Sequence, residues 1–147
     1  MSELTEFLRK KKKEEVRRKV SFVLMKEEWM QNLNKFLNEI KEWVSEAKKE
    51  GLLEVIEQSI EISEEGIGTY KAPSLILRTG RDSVVIKPIG TMILGARGRV
   101  DMTSPKRSFM FLLSKEKVWV LRGEKRVEKN IPLTQSLFTD LLEDMFS

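Results

Sequence analysis

The chain has 147 residues, 40% hydrophobic and 34% charged, a profile that fits one globular domain able to bury a core without covalent staples. It holds no cysteine and no histidine, which removes disulfides, thiolate chemistry, and the commonest zinc ligand and general base. The net charge of +4 is unevenly spread: +4 over residues 1–20, −6 over 21–65, +9 over 66–126 and −3 over 127–147.

An acidic segment therefore precedes a basic one, and the basic one is the natural seat for an anionic partner. The N-terminus runs from Met1-Ser2-Glu3-Leu4 into lysines with no apolar h-region. Phe22 to Met25, the longest apolar run before the β-rich region, is far short of the roughly 20 residues that span a bilayer. The expectation is a cytoplasmic protein with no membrane partner.

Ser2 can cap a first helix, with Glu3 and Glu6 in its first turn where the helix dipole favours acids. The run Arg9 to Lys13 breaks the apolar pattern, so the first dozen residues read as a short separate helix or a frayed arm. From Val16 the pattern strengthens. Val23, Met30, Leu37 and Val44 recur every seven residues, and Phe22, Trp29, Phe36 and Trp43 form a parallel aromatic register. This predicts a helix from about Glu14 to Lys49, stopped by Gly51, with a candidate break at Asn32-Leu33-Asn34. Leu52 to Ser63 fits a strand or one face of a helix; its β-branched content and the following Gly66-Ile67-Gly68 favour a strand.

Strands are then expected at Leu75–Arg78 and Val84–Lys87 around the hairpin signal Thr79-Gly80-Arg81-Asp82, with Pro73 at an edge or strand start. Pro88-Ile89-Gly90 reads as a turn into a strand at Thr91–Leu94, with a bulge between Gly95 and Gly98. Arg99–Thr103, Arg107–Leu113 and Lys117–Leu121 follow, with a short last strand near Val127. Thr134 caps a C-terminal helix whose apolar face is Leu137, Phe138, Leu141, Leu142 and Met145, with Leu133 placed to staple onto Phe138.

The expected architecture is α+β: a long N-terminal helix, an antiparallel meander sheet or partial barrel of six to seven strands, and a C-terminal capping helix. Residues 1–50 read as an N-terminal helical extension, and residues 51–147 as the antiparallel β domain with its C-terminal helix.

Gly95, Arg97, Gly98 and Arg99 are the candidate anion-binding residues, because closely spaced glycines let backbone amides form a nest. The competing reading is a glycine bulge with its arginines solvated or paired to Asp101. Lys10 to Lys13 with Arg17, Arg18 and Lys19 could meet nucleic-acid phosphates or simply form a solvated helix face. Phe22, Trp29, Phe36 and Trp43 are the candidate interface, since aromatics at heptad spacing belong to a core or a dimer seam. Catalysis would have to rest on carboxylates, and Asp101 is the lone mid-strand acid of the basic region.

No cofactor, metal site or catalytic residue is indicated. The functional expectation is a non-enzymatic cytosolic binding or assembly module, a homodimer through its N-terminal helix, whose protein partner the residues do not name. The alternatives are a nucleic-acid-binding protein using the basic sheet and lysine run, and a weak metal-dependent enzyme acting on phosphoryl groups.

Overall fold

The computed structural model describes residues 2–123 and 129–147. Helix α1 (Glu3–Trp43) is 41 residues long, about 60 Å at 1.5 Å per residue. Ser2 caps it, accepting from the Thr5 amide at 3.1 Å. It is continuous through Arg9 to Lys13, where a short separate helix or a frayed arm was expected. Lys, Arg and Glu are good helix formers and no glycine or proline interrupts them, so the helix persists where its apolar pattern lapses.

Asn32 does not break the helix either; its side-chain amide donates to the Glu28 carbonyl one turn back, at 2.9 Å. The helix gives way at Val44 (φ −104°, ψ 7°), and the single turn α2 (Ser45–Lys49) follows. Gly51 (φ 74°) closes it: its amide donates to the Lys48 carbonyl and the Leu52 amide to the Ala47 carbonyl. This is a Schellman cap, which a residue with a Cβ would strain.

Seven strands follow: β1 (Glu54–Glu64), β2 (Gly68–Thr79), β3 (Asp82–Gly90), β4 (Gly98–Thr103), β5 (Ser108–Leu113), β6 (Trp119–Leu121) and β7 (Ile131–Pro132). They form one open antiparallel sheet in chain order. The ambiguous stretch after Gly51 is strand. It pairs with β2 over its whole length, from Glu54↔Arg78 to Glu64↔Gly68. Pro73 lies inside β2, opposite Ser59, but β3 pairing stops at Leu75↔Ile86, so the proline sits on a locally single-sided stretch.

Two local expectations change. Pro88-Ile89-Gly90 is no turn but the end of β3, and the register irregularity lies there rather than between Gly95 and Gly98. Thr91–Leu94 is not a strand; it belongs to a compact loop closed by an isolated bridge between Ile93 and Ala96. The expected strand near Val127 falls outside the described residues.

Helix α3 (Gln135–Phe146) starts as its sequence dictates, with the Leu137 amide donating to Thr134 Oγ1 at 3.1 Å. Phe138, Leu142 and Met145 are buried from α3, and Trp29, Leu33, Phe36 and Ile40 from α1. They share one core with alternate strand residues such as Val84, Ile86, Val100, Met102 and Phe111. The other side of the sheet carries Ile76, Val85, Arg99, Asp101, Met110 and Leu112, all partly exposed. The second half of α1 is thus part of the sheet's core. Among the described residues no helix is long and apolar enough to cross a membrane.

Candidate functional site

The aromatic register has a partner within its own chain. Phe36 stacks on Trp119 with ring centroids 4.2 Å apart and meets Phe111 edge-on at 5.9 Å. Trp29 lies 6.2 Å from Trp119, and Trp43 lies 5.4 Å from Phe138. Trp29 and Phe36 are each 1% exposed. Phe22, half-buried, lays its ring over Gly66 at the β1–β2 turn. The register was expected at a core or a dimer seam. Trp29 and Phe36 belong to the core, on the part of α1 that lies along the β1–β2 hairpin, and offer no surface to a second chain. Helix from Phe22 to Val44 spans about 35 Å at 1.5 Å per residue, and the 11 residues of β1 span about 37 Å in extended form. The two lengths match, and what overhangs is the segment before Phe22.

The residues expected to gather an anion are not brought together. Arg97 turns to α1, its Nη1 3.6 Å from Glu28 Oε1, and Lys117 Nζ approaches the same oxygen at 3.1 Å. Arg99 lies on the helix-free side of the sheet and holds Asp101 through two hydrogen bonds, at 2.8 and 2.9 Å. That ion pair also raises the Arg99 pKa. The Ala96 and Arg97 amides donate to Ile93 and Leu113 carbonyls, so they do not point into an open nest. Gly98 serves packing: a Cβ there would sit 2.2 Å from the Trp29 ring. Asp101 faces an arginine and not a second acid, and the described residues hold no cluster of three metal-ligating side chains.

A polar hub missed by the sequence reading pins this loop. Glu64 Oε1 accepts from the Thr91 and Met92 amides at 2.9 and 2.8 Å, while Oε2 accepts from the Tyr70 hydroxyl. Lys26 Nζ sits 5.4 Å from the centre of the Tyr70 ring. No sequence signal marks Glu64, one of eleven acids between residues 21 and 65; only the fold brings residue 91 to it.

Burial, then the hydrogen bond to Glu64 and its charge, push the Tyr70 phenol well above its ordinary value; Trp29 nearby acts weakly the other way. Its folded pKa exceeds the unfolded one, so the stabilisation is complete below the unfolded pKa of about 10 and is lost as pH rises above it. Tyr70→Phe is therefore expected to flatten the alkaline fall in stability between pH 10 and 12, read as the denaturant midpoint against pH. An unchanged slope would show that Tyr70 ionises as freely folded as unfolded.

Five basic residues of the sheet region pair with acids. Arg78 pairs with Glu54, Arg107 with Asp144, Arg97 and Lys117 with Glu28, and Arg99 with Asp101. The first turns of α1 differ in kind. Every residue from Ser2 to Ser21 is exposed, including Lys10 to Lys13 and the apolar Leu4, Phe7, Leu8, Val16 and Val20. Val23 and Leu24 extend this exposed apolar set. Comparison with protein-family models, curated proteins and solved structures finds no match.

Proposed function

We propose that this chain is a non-enzymatic, cytosolic assembly module that self-associates through the exposed N-terminal half of α1. One observation carries the reading. About 28 Å of helix, residues 3–21 at 1.5 Å per residue, stands clear of the domain with large apolar side chains half or more exposed. Most helical stability in proteins comes from tertiary packing of an apolar face, which this segment lacks within its own chain, and exposed apolar surface of that kind marks an interface. A second copy of the chain supplies both a cover for it and the tertiary packing such a helix needs, most simply by two-fold pairing. Sedimentation equilibrium of the full chain at micromolar concentration is expected to give a dimer that dissociates on dilution. A monomer across the concentration range would end this reading.

A second reading, nucleic-acid binding, is favoured by the exposure of Lys10 to Lys13 on the same arm. It requires that the wild-type chain bind single- or double-stranded nucleic acid at low salt, with affinity falling steeply as salt is added.

A further inference from the structure

We infer that the self-association surface is the outer side of α1 centred on Val20, and that two copies pair there antiparallel about a two-fold axis through that residue. The inference rests on the self-association reading and adds the residues, the direction and the register.

Val16, Val20, Val23 and Leu24 are each between 54 and 60% exposed. Their spacing of four, seven and eight residues places them on one helix face. That face points away from the core, because Phe22, Trp29, Leu33 and Phe36 occupy the opposite one. Its flanks carry opposite charges. Lys12, Lys13 and Arg17 lie towards the N-terminus, and Glu27 follows Leu24 towards the C-terminus, with all four side chains exposed or nearly so.

Antiparallel pairing about Val20 brings together residues whose numbers sum to 40. Val20 then meets Val20 and Val16 meets Leu24. Lys13 meets Glu27 at both ends of the patch, each seven residues from the axis. A parallel pair would instead set Lys13 against Lys13 and Glu27 against Glu27, juxtaposing like charges twice. The charge order along the helix therefore selects the antiparallel partner, and a two-fold axis lets one patch complement itself. Leu4, Phe7 and Leu8 lie on the core-side face, outside this patch.

The test uses the full chain, which has no cysteine of its own. Val20→Cys and Val16→Cys, each treated with a short bis-maleimide, read the register. Val20→Cys is expected to cross-link to a dimer in good yield. Val16→Cys should do so several-fold less, because the two copies of residue 16 stand eight residues, about 12 Å, apart along the pair. Charge is read by sedimentation. Lys13→Glu is expected to raise the dimer dissociation constant at least tenfold, and Lys13→Glu with Glu27→Lys to bring it back to within about threefold of wild type. Both substitutions are at exposed sites, and circular dichroism checks that the helix remains.

Equal cross-linking of both cysteine variants, or a dimer indifferent to Lys13→Glu, would overturn this register while leaving self-association standing. A wild-type monomer would overturn both.

Discussion

Truncating Phe36 to alanine is expected to produce the largest loss of stability of any single change on α1. The ring is 1% exposed, stacked on Trp119 and edge-on to Phe111, so it ties the long helix to β5 and β6 together. Removing a buried phenylalanine costs about 3–5 kcal/mol, from lost burial plus the cavity left behind. Domains of this size are stable by only about 5–15 kcal/mol, so the variant should unfold at a much lower denaturant concentration. Phe22→Ala, a half-buried site at the hairpin tip, should cost clearly less. A Phe36→Ala midpoint within error of wild type would mean that α1 is not docked on the sheet as described.

Gly98→Ala is the second. A methyl group there would stand 2.2 Å from Trp29 Cζ3 and 2.5 Å from Cε3, far inside contact distance. The indole cannot swing clear, because Trp29 is itself buried against Trp119. Overpacking of this kind costs about 1–3 kcal/mol. The cause is separable from any backbone effect: Trp29→Leu should cost stability alone, yet make Gly98→Ala far less harmful in the double variant. A coupling energy of about 1 kcal/mol or more between the two sites is the expected reading. Strict additivity would place the cost of Gly98→Ala elsewhere.

The long helix, the hairpin at Gly80–Arg81 and the Thr134 cap were legible because each rests on local chemistry: uninterrupted helix formers, a glycine at a tight turn, a hydroxyl at an N-terminus. The sheet order followed from short connections between neighbouring strands. The 88–98 region misled, since Pro88 and Gly90 are ordinary turn residues, and only their pairing with Val100 and Arg99 makes them strand. The same region was legible in part: the pairing of Arg99 with Asp101, two residues along β4, was among the sequence readings, whereas the partner of Arg97, Glu28, comes from α1 and no local spacing points to it.

The apolar face of α1 was read half correctly, for a geometric reason. Val23, Met30, Leu37 and Val44 repeat every seven residues, but a straight helix turns about 20° per heptad away from that repeat. The register therefore drifts around the helix. Val23 is 55% exposed on the outer side, Met30 is half-buried, and Leu37 and Val44 lie in the core. Counting Val23 with Leu37 hid the outer patch that it forms with Val16, Val20 and Leu24. Only the position of the sheet shows which end of the register faces inward.

Hydrogen exchange of the full chain at several concentrations tests the central claim most directly. Amides of residues 3–24 lie on a helix segment with little tertiary packing, so in a single chain they should open and exchange readily. Their protection is expected to rise as concentration passes through the association range. Residues 29–44, packed on the sheet, should stay protected throughout. If the first half of α1 exchanges at one rate at every concentration, its exposed apolar side is not where this protein meets itself.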